Sequence, residues 1–124
     1  MDLEMNIMLV DDFSTMRRIT KKALTSLGFS NFIEAGDGKV ALEMLQKETV
    51  GLILSDWNMP VMNGLDLLKA VRSDAKLKDV PFIMITAEGQ KPNIMEAVDA
   101  GVNNYIVKPF NAEIIKEKLS KIFK

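Results

Sequence analysis

Three aspartates, a threonine and a lysine carry the chemistry this sequence can offer. Asp11-Asp12 follows one short apolar run, Ser55-Asp56 follows another, and Thr86 and Lys108 end two more. The chain has no cysteine and no histidine. Thiolate nucleophiles, disulfides, imidazole bases and imidazole metal ligands are therefore excluded. A metal bound here must sit on oxygen, which favours Mg²⁺, Ca²⁺ or Mn²⁺. Two carboxylates about 5 Å apart repel by roughly 3 kcal/mol at an effective dielectric of ~20. A divalent cation turns that repulsion into binding. Mg²⁺ keeps several waters and leaves room for a phosphoryl oxygen. The backbone carbonyl of Asn58, just past the third run, could add a further oxygen. One aspartate is then available as a nucleophile toward phosphorus, forming an aspartyl-phosphate. Spacing alone does not decide which one attacks. Asp11 and Asp12 form a pair suited to chelation, while Asp56 stands alone, and on that argument Asp56 is assigned as phosphoacceptor. Lys108 would neutralise charge on the transferred group.

These residues matter only if the fold gathers them. The apolar runs at 7–10, 32–33, 52–54, 82–85 and 105–107 lack in/out alternation, as strands buried on both faces do. Helical spacing fills the gaps. Met16, Ile19, Ala23 and Leu27 share a face of a helix that begins near Ser14 and ends at Gly28, a good left-handed cap. Ala41, Met44 and Leu45 mark a second helix after Asp37-Gly38. Gly64, Leu67, Leu68 and Val71 mark a third. Pro92 opens a fourth, with Ile94, Ala97 and Val98, which Gly101 closes. Asn111 caps a fifth with a stripe of Ile115, Leu119 and Ile122. Asn63-Gly64 could form a hairpin turn, but the helical spacing after it favours entry into the third helix. Five strands alternating with five helices predict an α/β fold, a parallel sheet covered on both faces. All strands then point one way, and their carboxyl ends share the edge where open α/β sheets bind ligands. A lone acidic residue at a strand end is usually just solvated. Complementary chemistry at four strand ends is not an ordinary accident.

Composition sets outer limits. At 124 residues the chain suits one domain, with no visible linker or repeat, and a single domain without an output domain is the expectation. Lys plus Arg number 16 and Asp plus Glu 17, for a net charge of −1. That balance gives no general attraction for nucleic acid or anionic membrane. No apolar run approaches the ~20 residues of a membrane helix, and the acidic start Met1-Asp2-Leu3-Glu4 is no signal peptide. A cytoplasmic monomer is the expectation.

Four strings carry a resemblance: Val10-Asp11-Asp12-Phe13-Ser14-Thr15-Met16-Arg17-Arg18, Ser55-Asp56-Trp57-Asn58-Met59-Pro60, Thr86-Ala87-Glu88 and Tyr105-Ile106-Val107-Lys108-Pro109-Phe110. Over essentially the whole chain they resemble the two-component response-regulator receiver family, and within it the chemotaxis regulators. The resemblance implies a flavodoxin-like doubly wound (βα)5 fold with strand order 2-1-3-4-5. It implies that Asp12, Asp56 and the Asn58 carbonyl ligate Mg²⁺, with Asp11 orienting a water on the ion. Asp56 would be phosphorylated by a chemotaxis-type histidine kinase, and the phosphodonor histidine would lie on that partner. Lys108 would pair with the phosphoryl group and precede a cis bond to Pro109, although Lys108-Pro109 could equally just stop a strand. Thr86 would donate its hydroxyl to the phosphoryl group, and Tyr105 would turn inward behind it. Trp57, Lys91, Ile94, Val98, Val102, Tyr105, Val107, Lys118 and Lys121 match switch or partner-surface positions, the partner being the flagellar motor switch protein. Without that role Ile94 and Val98 would be core, Lys118 and Lys121 a solvated helix face, and Trp57 and Tyr105 packing residues. A dedicated phosphatase is a further implied partner. Gly89 and Pro92 depart from the family at the entry to the fourth helix, and Asn63-Gly64 stands for the common Asp-Gly.

Other readings compete. A phosphorelay intermediate or phosphate sink would share the site but pass its phosphate to a second histidine. A Mg²⁺-dependent phosphohydrolase would want an acidic residue at position 58, which is Asn, and a cap segment. A flavin carrier would want a Ser/Thr/Gly-rich phosphate loop where Asp11-Asp12 stands.

Overall fold

The computed structural model describes residues 2–87 and 91–123, with backbone only for 91–93. Five strands, β1 (Asn6–Val10), β2 (Asn31–Ala35), β3 (Leu52–Asp56), β4 (Phe82–Thr86) and β5 (Asn104–Val107), alternate with five helices. The helices are α1 (Ser14–Ser26), α2 (Gly38–Leu45), α3 (Gly64–Ser73), α4 (Lys91–Asp99) and α5 (Ala112–Ile122). All strand pairs are parallel, in the order β2-β1-β3-β4-β5, as expected. Every residue of β3 and β4 is buried. Their uninterrupted apolar runs follow from cover on both faces.

The alternation of side chains divides the core in two. Ile7, Leu9, Leu52, Leu54, Ile83, Ile85 and Ile106 face one layer, packed with Leu24 of α1 and with Ile115 and Leu119 of α5. Met8, Val10, Ile53, Phe82 and Met84 face the other, packed with Ala41 and Leu45 of α2 and with Leu67, Leu68 and Val71 of α3. Asp37, Asn63 and Asn111 cap α2, α3 and α5, each accepting from the backbone N–H three residues on. Asn63-Gly64 is thus a helix entry and not a hairpin. Gly28 and Gly101 follow α1 and α4 with φ of +107° and +96°, the left-handed conformation that favours glycine.

Two apolar stripes sit differently from expectation. In α1 the buried residues are Thr20 and Leu24, while Ile19 is 47% exposed. At 100° per residue the fully buried face is rotated about 75° from the stripe of Met16, Ile19, Ala23 and Leu27, of which Ala23 and Leu27 still pack against the core. A threonine can take that place because its hydroxyl donates to the Met16 carbonyl at 3.0 Å. In α4 Ala97 is buried but Val98 is 58% exposed, so Val98 is not core. Gly89 and the side chains of Lys91 and Pro92 lie outside the described residues.

Arg72, at the end of α3, ties three segments together. Its guanidinium donates to the carbonyls of Gly101, Lys78 and Val80 at 2.9, 3.0 and 2.7 Å, and to Asn103 Oδ1 at 2.8 Å. Asn103 Oδ1 also accepts from the Phe82 N–H at the start of β4. Replacing Arg72 by Met should cost about 2–4 kcal/mol, because it leaves several carbonyls without their donor. Thermal unfolding would then show Tm falling by roughly 10 °C.

Candidate functional site

The chain leaves β1 toward β2 on one side and later returns to place β3 on the other side of β1. The strand order reverses between β1 and β3, and a crevice opens beyond their carboxyl ends. Asp11 and Asp12 follow β1 directly, and Asp56 is the last residue of β3. Carboxylate oxygens of the three lie within 4.8 Å of one another. Asp11 and Asp56 are each only 6% exposed, and Asp12 is exposed. Lys108, just past β5, reaches across β4 to put Nζ 3.1 Å from Asp56 Oδ1 and 3.8 Å from Asp11 Oδ2. Thr86, buried, ends β4. The strand ends thus bring together the three aspartates, Thr86 and Lys108.

Local backbone structure holds the rim in place. The Asp11 N–H donates to the Ala35 carbonyl at 3.1 Å and extends the β1–β2 ladder by one residue. Asp11 Oδ1 accepts from the Phe13 N–H at 2.9 Å, which turns the chain into α1. The Trp57 N–H donates to the Ile85 carbonyl at 2.9 Å. The Gly64 N–H donates to the Trp57 carbonyl at 2.8 Å. A Cβ at Gly64 would lie 2.3 Å from the Asp56 carbonyl oxygen, so only glycine lets α3 start against this strand end. Between them the exposed Val61 has φ of 68° and the Met62 N–H donates to the Pro60 carbonyl at 2.7 Å. This γ-turn is strained for a β-branched residue. The same turn lets the Met62 carbonyl accept from the Gly38 N–H at 3.1 Å, joining the loop to α2. Asn58 lies exposed in that loop, and Trp57 is half-buried against the α2–α3 layer. The bond between Lys108 and Pro109 is cis.

Burial pushes the Asp56 carboxyl up from its ordinary value, against the pull of Lys108. Burial also pushes Asp11 up, against its bond from the Phe13 N–H. The charge these groups share is therefore costly in the folded chain. All the clustered donors are hard oxygens, a set that suits Mg²⁺ and does not suit a soft metal. Their proximity under one ammonium is the physical reason that a divalent cation fits here.

The remaining residues singled out from the sequence lie on α4, β5 and α5, with Val102 in the loop before β5. Ile94, Val102, Tyr105 and Lys118 are half-buried, Val98, Val107 and Lys121 are exposed, and the Lys91 side chain lies outside the described residues. Two contributors were not singled out from the sequence. Arg17 donates through Nη1 to the Asp11 carbonyl and through Nε to Glu34 Oε1 at 3.1 Å. Its position one helical turn into α1 was the available signal, but pairing with Glu34 on β2 needs the tertiary fold. Ser55, fully buried, donates to the Asp56 carbonyl at 3.0 Å.

Comparison with known proteins follows the same lines. The family model for the response regulator receiver domain matches residues 7–120. The chain is 56% identical over 119 residues to the chemotaxis protein CheY of Pseudomonas aeruginosa, covering 96% of both chains. It is 58% identical to the chemotaxis protein CheY-3 of Vibrio cholerae, covering 96% of this chain and 92% of that one. Among solved structures, the chemotaxis protein CheY4 of Vibrio cholerae superposes with a TM-score of 0.89 at 33% identity, covering 97% of this chain and 99% of that one.

Asp11→Asn keeps an oxygen for the Phe13 N–H and removes one of the crowded charges. In buffer free of divalent cations at neutral pH it should raise stability by on the order of 1 kcal/mol, about 3 °C in Tm. The sign follows from linkage. A carboxyl whose folded-state pKa lies above its unfolded value penalises folding in full above the raised pKa. That penalty fades as pH falls toward 3.8. The advantage of the Asn variant should therefore shrink over the same window, as thermal unfolding against pH would show.

Proposed function

Since the chain belongs to the response-regulator receiver family, and within it to the CheY-like receivers, we propose that it is a chemotaxis switch that accepts a phosphoryl group on Asp56 in a Mg²⁺-dependent reaction. Its donor would be the phosphohistidine of a chemotaxis-type histidine kinase. Its target, once phosphorylated, would be the flagellar motor switch protein. The observation that carries the reading is the crowding of Asp11, Asp12 and Asp56 under Lys108 Nζ, 3.1 Å from Asp56 Oδ1.

In this mechanism an Asp56 carboxylate oxygen attacks phosphorus. A P–O bond forms as the P–N bond to the donor imidazole breaks, and the bond's electron pair leaves with the imidazole nitrogen. Asp12, Asp56 and the Asn58 carbonyl would hold Mg²⁺, with Asp11 beside them. When bound, the ion supplies charge neutralisation for the phosphoryl oxygens. Lys108 already sits on the attacking carboxylate, so a short movement takes its ammonium onto a phosphoryl oxygen. The protein acts on no external substrate in this scheme. It catalyses its own phosphorylation and the later hydrolysis of the acyl phosphate.

The response begins at Thr86. Tyr105 pairs in register with Met84, two residues before Thr86. Side chains alternate along a strand, so Tyr105 and Thr86 share a face of the sheet as diagonal neighbours. A phosphoryl group adds strong acceptors. The Thr86 hydroxyl moves to meet them, and the Tyr105 ring follows into the space released. The affected surface is the side formed by α4, β5 and α5. Val98 and Val107 are exposed there at 58% and 37%, and Lys118 brings positive charge to the Tyr105 ring. This is the surface proposed to meet the motor protein.

Incubation with acetyl phosphate and Mg²⁺, followed by mass mapping, should place one phosphoryl group on Asp56. Asp56→Asn should abolish it, and full labelling of that variant would refute the assignment. Thr86→Ala should still be labelled but should lose the gain in motor-protein affinity on phosphorylation, measured by calorimetry. A normal gain in that variant would sink the hydroxyl-coupled switch.

A further inference from the structure

Tyr105 and Lys118 meet across two layers. Tyr105 lies on β5, the edge strand, and packs against the core on the α2–α3 side of the sheet. Its neighbour Ile106 faces the opposite layer, with Ile115 and Leu119 of α5. Lys118 belongs to α5, yet its Nζ lies 5.0 Å from the centroid of the Tyr105 ring. The lysine therefore reaches round the open edge of the sheet. An ammonium at that distance over a tyrosine face is attracted by the ring quadrupole.

Lys118 differs from the other lysines of its helix. It is half-buried, whereas Lys116 and Lys121 are exposed. Lys121 pairs with Glu117 at 3.3 Å. Among the described residues no carboxylate lies within salt-bridge distance of Lys118. Half-buried, Lys118 places its charge over the Tyr105 ring.

Resting on the switch reading above, we infer that Lys118 is a positioning residue that holds the Tyr105 ring at the sheet edge before phosphorylation and so sets the threshold of the switch. An inward turn carries the ring toward β4 and Thr86, away from the edge round which Lys118 arrives. The contact is then made in one arrangement and lost in the other. A contact present in only one of two states shifts their balance by its own free energy. By reciprocity, weakening it favours the phosphorylated arrangement.

Two measurements test this. In the unphosphorylated protein the ε-methylene protons of Lys118 should resonate upfield of those of Lys116, shielded by the ring, and Tyr105→Leu should remove the shift. Labelling by acetyl phosphate with Mg²⁺ should be about two- to fivefold faster in Lys118→Met, which keeps the stem and drops the charge. Lys118→Arg should restore the wild-type rate. Lys116→Met, which removes an equal charge from the same helix, should leave the rate unchanged. Equal acceleration in both methionine variants would reveal a general charge effect and overturn the inference, as would unshifted Lys118 protons. A wild-type chain that takes no label at all would instead refute the phosphoacceptor reading, and the threshold role would fall with it, whatever the ring contact shows.

Discussion

Like charges held close together are the constraint around which this molecule is built. Three carboxylates with oxygens within 4.8 Å repel by about 3 kcal/mol per pair at an effective dielectric of ~20. Burial of Asp11 and Asp56 worsens the cost, and one ammonium relieves part of it. A chain free to relax would separate them. It does not, because Asp11 is tied to the β2 ladder and Asp56 is the last residue of a fully buried central strand. The rigidity of the sheet is what maintains an arrangement that its own side chains oppose. Such a site gains most from compensating positive charge, which a divalent cation on oxygen ligands would bring.

The same sheet offers a route from the rim to the surface. β3 and β4 are buried on both faces and have little freedom. β5 is an edge strand with one neighbour, and only Ile106 of its four residues is fully buried. Rearrangement is cheapest there, where side chains have packing on one side only. Arg72 fixes the nearby end of α4 and the approach to β5 through four hydrogen bonds. In the switch proposed above, motion of Tyr105 would be confined to its side chain and the helices beside it while the backbone register between β4 and β5 is kept.

Much of this was legible in the residues. The apolar runs named all five strands because a doubly covered strand has no polar face to interrupt its pattern. The caps Asn111 and Gly28 and the entry at Asn63-Gly64 were visible because capping depends on residues a few positions apart. The phase of α1 was not, since Thr20 enters the core only by donating to the carbonyl of Met16, and Ile19 is left outside. Val98 was open to both readings for a similar reason. A helix lying over a sheet edge buries a narrower stripe than one over its centre.

The amino-acid order by itself determined which chemistry was available: oxygen ligands, a carboxylate nucleophile and a lysine, with no imidazole or thiol. It also determined that these groups follow strands, and hence that they share an edge. Only the tertiary structure decided how close they come, that Lys108 reaches Asp56 across the intervening β4, that Arg17 reads both Asp11 and Glu34, and that Lys118 meets Tyr105 round the sheet. Each of these contacts joins residues distant in sequence, except for the link from Arg17 to Asp11. Their distances depend on how layers pack, and no local pattern of residues encodes that.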